Sequence, residues 1–340
     1  MGESKVSTFS SALVAIFVVG VVIRIAKPVL FPFFLAVFFY FVLSPILDLL
    51  TIRFKVPKSV ALAVILLLTF LSLYLLGMLF FTSGQRFAIE FPKYGERMTQ
   101  MIDSLEQGLR LPRIRWEPLA WLQSLDINKV GSFFLASLGT LVTFISNLFL
   151  VLIFLVFMLA GRGKLCVKIG DSFPAHRAAQ LNKIVDRIDQ QVQKYLGLKT
   201  LISILSGLLA GLILVIFGVK FAVLFGFLTF VLNYIPNIGS FIAKIFPFAF
   251  AVLQFESLWK AVWVLIVLFA VDAVVGMIVE PRLMGHSLGL SPLAILFALF
   301  FWGWLWGIPG MILAVPILVV LKIVSANIPS LKFLEALLSK

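Results

Sequence analysis

The apolar positions of this sequence run on without interruption, where a soluble domain would alternate them with polar ones. Residues 59–82, 132–160, 200–218 and 287–321 contain no Asp, Glu, Lys or Arg. A helix rises about 1.5 Å per residue, so about 20 such residues cross a hydrocarbon layer about 30 Å thick. Residues 11–27 and 29–50 read as two more helices, joined tightly at Lys27-Pro28 because proline ends or kinks a helix. The run 257–279 is apolar apart from Lys260 near its start and Asp272 within it. Lipid is the solvent that suits such segments, and the pattern predicts an all-α, polytopic integral membrane protein.

In the C-terminal half the runs are broken. Segment 221–255 is split at Pro236-Asn237-Ile238-Gly239, and segment 287–321 by Gly303, Gly307, Pro309, Gly310 and Pro316. Each is too short for two full crossings and a loop, so each predicts a broken or re-entrant hairpin. Gly218, Leu228, Phe230, Gly239 and Ala243 recur 71 residues later as Gly289, Leu299, Phe301, Gly310 and Ala314. The preceding helices, 200–218 and 257–279, would then cross in opposite directions, the pattern of an inverted repeat. Ser203, Gly207 and Gly211 place small residues along one face of helix 200–218, where another helix can approach closely.

Charge then orients the chain. Of its residues 62% are hydrophobic and only 13% charged, with a net charge of +13. In a soluble protein that excess would point to nucleic acid, whereas here basic residues accumulate in cytoplasmic loops. The link 51–58 carries Arg53, Lys55 and Lys58 without an acid. Segment 161–199 carries eight basic residues against three acids, and 83–131 is balanced at seven against six. The reading is therefore N-terminal membrane helices over 1–82, with the N-terminus cytoplasmic. An extracytoplasmic insert over 83–131 follows, holding an amphipathic stretch through Met98, Ile102, Leu105 and Leu109. Helix 132–160 leads to a basic cytoplasmic helical region at 161–199, striped by Leu181, Ile184, Val185, Ile188, Val192 and Tyr195. A transport core at 200–325 and a tail at 326–340 complete it. Lys5 and the apolar run Ser11–Ile23 imitate a signal peptide, but Arg24, Lys27 and Pro28 follow where small residues would mark cleavage, so a retained helix is expected.

The polar residues set in apolar surroundings carry the chemistry. No hydrolase triad, P-loop, dinucleotide fingerprint or zinc motif is legible, and Cys166, His176 and His286 are too few for a structural zinc site. No cofactor, no metal and no enzyme activity are expected. Asp272 follows the uncharged stretch Ala261–Val271 and precedes another, Ala273–Val279. An ionised, unpaired carboxylate at that depth costs about 2.5–3.5 kcal/mol on insertion scales. It must face a watery cavity, find a cation or hold a proton, in a functional role or in a structural ion pair. Gly276 and Glu280 continue its face. Lys244 follows the first break, where Asp272 could neutralise it; in an ordinary loop it would instead snorkel to a surface. Asn233 and Asn237 flank the same break, which frees backbone groups as ligands. Asn147 reads as interhelical glue, Lys220 as an interfacial anchor and His286 as weak evidence for pH sensing.

Three ordered motifs carry a resemblance. Asn233-Tyr-Ile-Pro-Asn-Ile-Gly239, Glu280-Pro-Arg-Leu-Met-Gly-His-Ser-Leu-Gly-Leu-Ser-Pro292 and Gly303-Trp-Leu-Trp-Gly-Ile-Pro-Gly-Met-Ile-Leu-Ala-Val-Pro316 resemble the autoinducer-2 exporter family of bacterial permeases. The resemblance is strong over 221–321 and looser toward the N-terminus. It implies export of a small polar metabolite such as the quorum signal autoinducer-2 across the bacterial inner membrane, or sodium(lithium)/proton antiport. It singles out Pro236, Gly239, Glu280, Pro281, Gly285, Gly289, Pro292, Gly310 and Pro316, most of which shape backbone. Lys244 stands outside the pattern. The pathway is expected between the two hairpins, involving Asn233, Pro236, Asn237, Gly239, Lys244, Asp272, Glu280, Gly307, Pro309 and Gly310. The partners expected are a small-molecule or ion substrate, the lipid bilayer and further copies of the chain. A membrane scaffold that recruits partners through 176–199 is the rival outside transport.

Overall fold

The computed structural model describes residues 20–22, 25–90, 94, 140–255, 257–284, 289–328 and 331–339. The start of the first apolar run, the amphipathic stretch of the insert, the beginning of run 132–160, the side chain of Asn147, Gly285 and His286 lie outside the described residues. Within them every apolar run is helical, and no strand forms beyond an isolated bridge between Leu290 and Ser339.

Helix α1 spans Lys27–Asp48, with Pro28 in its first turn, where a missing N–H breaks no helical bond. It runs on through a π-helical turn at Leu49–Arg53. Helix α2 covers Lys58–Glu90 and α3 covers Thr140–Ala160. At Gly163, whose φ of 84° suits glycine, the chain bends by 59° into α4, Lys164–Ser172. Helix α5 spans Ala175–Ile216, α6 Ala222–Leu232 and α7 Ile238–Gln254. Helix α8, Leu258–Val274, continues through a π-helical turn at Val275–Val279 into the short α9, Glu280–Met284. Helices α10 (Pro292–Trp306), α11 (Ile308–Asn327) and α12 (Lys332–Leu338) complete the chain.

Five helices among the described residues are long and apolar enough to cross a membrane, and a sixth if α3 and α4 count as one bent span. The protein is thus an all-α polytopic membrane protein with broken helices in its C-terminal half. Two boundaries differ from the sequence reading. The basic helix and the apolar helix expected on either side of residue 199 form one uninterrupted α5. No proline divides them, and Gly197 alone does not stop a helix whose neighbours favour it. Helix α2 likewise runs beyond residue 82 to Glu90.

The chain forms two compact units, and α2 and α5 contribute to both. The first comprises 1–68, 147–200 and 284–340. Ala36, Leu47, Ala61, Ile65, Val151, Leu155 and Leu159 form a core in it from α1, α2 and α3. At one end of this unit Arg162 reaches Asp48 at 2.8 Å and Asp189 at 3.5 Å. Lys58 there donates to the Ala160 carbonyl.

The second unit comprises 69–146 and 201–283. Its core gathers Leu214, Phe225, Phe250, Ala261, Val264 and Leu268 with Phe87. The small-residue face of α5 packs on α6, as its spacing predicts: a Cβ added at Gly207 would lie 2.8 Å from the Gly226 carbonyl oxygen. At one end Lys220 pairs with Glu90 at 3.0 Å. The hydrogen bond to Glu90 holds the Lys220 ammonium above the ordinary lysine range, helped by Tyr94. Gln254 accepts from the Lys220 N–H and donates to the Gly218 carbonyl, so both ends of the α6–α7 hairpin are tied at this level.

Candidate functional site

In the second unit the break at 233–239 is a tight, strained turn. Pro236 cannot extend α6, and the Ile238 N–H donates back to the Pro236 carbonyl at 2.6 Å, closing a three-residue turn around Asn237. Asn237 sits at φ 59° and ψ −54°, close to the rare and strained classic γ-turn conformation. Gly239 is required for packing. A Cβ there would fall on the Leu232 carbonyl oxygen and lie 2.9 Å from the Ile235 Cβ. Buried Asn233 donates to Ser203 Oγ at 3.2 Å and ties the tip to α5. Ser203 lies about 20 Å along α5 from Ile216, so the tip sits deep relative to the Lys220–Gln254 end.

The first unit holds the corresponding turn between α10 and α11. A single residue, Gly307, joins the helices at φ 75° and ψ −150°, a conformation essentially reserved for glycine. Pro309 occupies the first turn of α11, and a Cβ at Gly310 would fall on the Trp302 carbonyl oxygen. Trp306 is buried beneath this tip, its ring 4.9 Å from Trp302 and 5.0 Å from Phe34. Pro316 is buried within α11. At the base the Gly289 carbonyl, at φ 53°, accepts from Lys322 at 2.8 Å, close to Pro292 at the start of α10. Gly239 and Gly310, 71 residues apart, thus meet the same steric demand, which gives the sequence repeat a geometric counterpart.

The site that draws sequence-predicted residues together lies within the second unit. Lys244, on α7 and only 5% exposed, directs its ammonium at the Asp272 carboxylate of α8. The ammonium also lies 4.7 Å from the centre of the Phe269 ring. Ser206 from α5, Thr229 from α6, and Ser240 with Lys244 from α7 line a cavity against Asp272 and Leu268 of α8 and Val275 of the turn that follows it. About 20 Å³ of it is open to the centre of a water molecule, room for a single ordered water. Ser206 Oγ is buried without a hydrogen-bond partner. Just past Asp272 the α8 backbone widens into its π-helical turn, a distortion frequent at functional sites. Breaking such a buried pair by removing one charge costs about 3–5 kcal/mol.

The other predicted residues fall elsewhere. Glu280 and Pro281 begin α9 and do not line this cavity. Ser206, Thr229 and Ser240 were not singled out as site residues in the sequence. Lone hydroxyls in apolar helices carry no pattern of their own.

The comparisons with known proteins fit these features. The model of the AI-2E family transporters matches residues 12–330. The chain belongs to the AI-2E transporter family. The AI-2 transport protein TqsA of Escherichia coli K12 is 33% identical over 303 residues, covering 88% of this chain and 86% of its own. A Haemophilus influenzae protein named "Putative transport protein" is 32% identical over 324 residues, 94% of this chain and 92% of its own. As an AI-2E family member the chain is a membrane transport protein with a small-molecule substrate and lipid as its surroundings.

Proposed function

We propose that this AI-2E transporter exports a small polar metabolite of the autoinducer-2 class across the bacterial inner membrane. It would work as a homo-oligomer with its N-terminus in the cytoplasm. The observation that carries the reading is the buried Lys244–Asp272 pair beside a hydroxyl-lined cavity and a broken hairpin, all within apolar helices. A charge pair in such a place marks a polar pathway more often than a structural tie, because apolar packing stabilises helices at least as well. The name of the Escherichia coli relative supports the substrate class.

Proteoliposomes with imposed proton and sodium gradients test it. Autoinducer flux per folded protein that falls at least tenfold in Asp272→Asn, beyond any drop in its unfolding temperature, is the expected result. Cation flux without metabolite flux would make the protein an antiporter, and no flux of either kind would favour a scaffold.

A further inference from the structure

We infer that the first unit binds an anionic phospholipid at the end where the link 49–58 meets the bend between α3 and α4, with α4 lying against the membrane surface beside it. This lipid contact is separate from transport and needs no flux to exist.

Two basic segments are brought together there. Both ends of the link between α1 and α2 are tied to the end of α3: Asp48 pairs with Arg162 at 2.8 Å, and Lys58 donates to the Ala160 carbonyl. Arg162 and Lys58 are thereby spent on structure. Arg53, Lys55, Lys164 and Lys168 are not. All four are exposed, and among the described residues the side chain of none is in an ion pair or hydrogen bond. Lys55 even holds a left-handed backbone, φ 54°, that glycine would adopt at less cost. The single acid of α4, Asp171, stands at its far end.

Apolar side chains are interleaved with these cations. Ile52 is 75% exposed, Phe54 63% and Leu165 56%. The apolar span of α3 ends at Ala160, and the bend at Gly163 turns α4 by 59° from its line, toward the membrane plane. A straight continuation would carry Lys164 and Lys168 out into water. Within α4, Cys166 and Ile169 are half-buried, and the Cys166 carbonyl accepts from Asn182 of α5. One side of α4 is thus backed by protein, while Leu165 is left uncovered. Cations set among exposed apolar groups at the level where a span ends match an anionic lipid. Its phosphate takes the ammonium and guanidinium groups, and its glycerol and upper acyl carbons cover Ile52, Phe54 and Leu165. Nucleic acid or an acidic peptide would satisfy the charges and leave those three in water. A zwitterionic lipid would cover them but bring its own cation against the four.

Full-length protein stripped of lipid in a non-ionic detergent provides the test. It is titrated with phosphatidylglycerol and with phosphatidylcholine of the same acyl chains, and bound lipids are counted by native mass spectrometry. Phosphatidylglycerol should bind about tenfold more tightly or better, and the preference should shrink as ionic strength rises. A basic residue near an anionic headgroup contributes about fivefold in affinity. Arg53→Gln combined with Lys55→Gln, Lys164→Gln and Lys168→Gln should therefore abolish the preference. Lys183→Gln with Lys194→Gln, on the basic half of α5, should keep it. Lys55→Gly alone should weaken phosphatidylglycerol about fivefold with an unfolding midpoint unchanged or raised, so the test stands even if the fourfold variant misfolds. Ile52→Ser with Phe54→Ser should weaken both lipids alike. Equal binding of the two lipids by the wild type overturns the proposal, as does a preference kept in the fourfold variant or lost in the α5 variant. Inorganic phosphate that displaces the lipid at equal concentration would make this a free-anion site. Phe54→Cys chains that form disulfides with one another in a Cys166→Ser background would make it a contact between copies. Either result refutes the lipid.

Discussion

At the scale of single residues, two glycines carry more of the architecture than any charged group. The absent side chains of Gly239 and Gly310 let the second helix of each hairpin approach the last carbonyls of the first. The obstacle to a larger residue is backbone, which cannot swing aside. Gly239→Ala and Gly310→Ala should each lower stability by about 1–3 kcal/mol, the usual cost of overpacking. Gly276→Ala is the control, because a Cβ there meets nothing within 4 Å. Thermal unfolding in detergent, followed by tryptophan fluorescence, checks this. Equal midpoints for the Gly239 and Gly276 variants would mean the close approach is absent in solution.

At the scale of elements, the tips show what the sequence could and could not reveal. Helix positions were legible because lipid demands uninterrupted apolar runs, and the breaks were legible because proline and glycine cannot hide in them. The Lys244–Asp272 encounter was also within reach, since two opposite charges in apolar surroundings have few other partners. The strained turn at Asn237, the π-helical turn after Asp272 and the hydroxyls around the cavity were not. They depend on how neighbouring helices register against one another, which periodicity does not encode. The continuity of α5 was missed for a related reason, because a change from basic to apolar composition marks a change of solvent and not the end of a helix. Gly307 offers the sharpest test at this scale. Its φ of 75° and ψ of −150° exclude a Cβ, so Gly307→Ala should cost about 1–3 kcal/mol through strain alone. Gly303→Ala, four residues earlier in α10, would press only on the flexible end of Met311 and should be milder. A Gly307 variant as stable as the Gly303 variant would remove the strain argument from that tip.

At the scale of the whole molecule, charge and contact geometry make the same statement about sidedness, each unit on its own evidence. In the first unit Lys58 reaches the Ala160 carbonyl, and Arg162 bridges Asp48 and Asp189, so the two basic links 51–58 and 161–164 share one end. Basic loops stay in the cytoplasm, and a shared end is what that rule requires of both. In the second unit Glu90, Lys220 and Gln254 share one end. Helix α5 is about 63 Å long, about twice the hydrocarbon thickness, and its apolar half, from Thr200 to Ile216, spans about 25 Å. Its basic half is therefore expected to stand in water. Helix α6, about 17 Å long, is too short to cross, so the α6–α7 hairpin is expected to return to the side it entered. After Cys166→Ser, single cysteines at Lys58, Lys183 and Lys194 should react with an impermeant maleimide applied from the cytoplasmic face. Cysteines at Lys220 and Gln254 should react from the outer face, and both from the same one. Opposite labelling of Lys220 and Gln254 would turn the hairpin into a full crossing. Cytoplasmic labelling of both would invert the molecule.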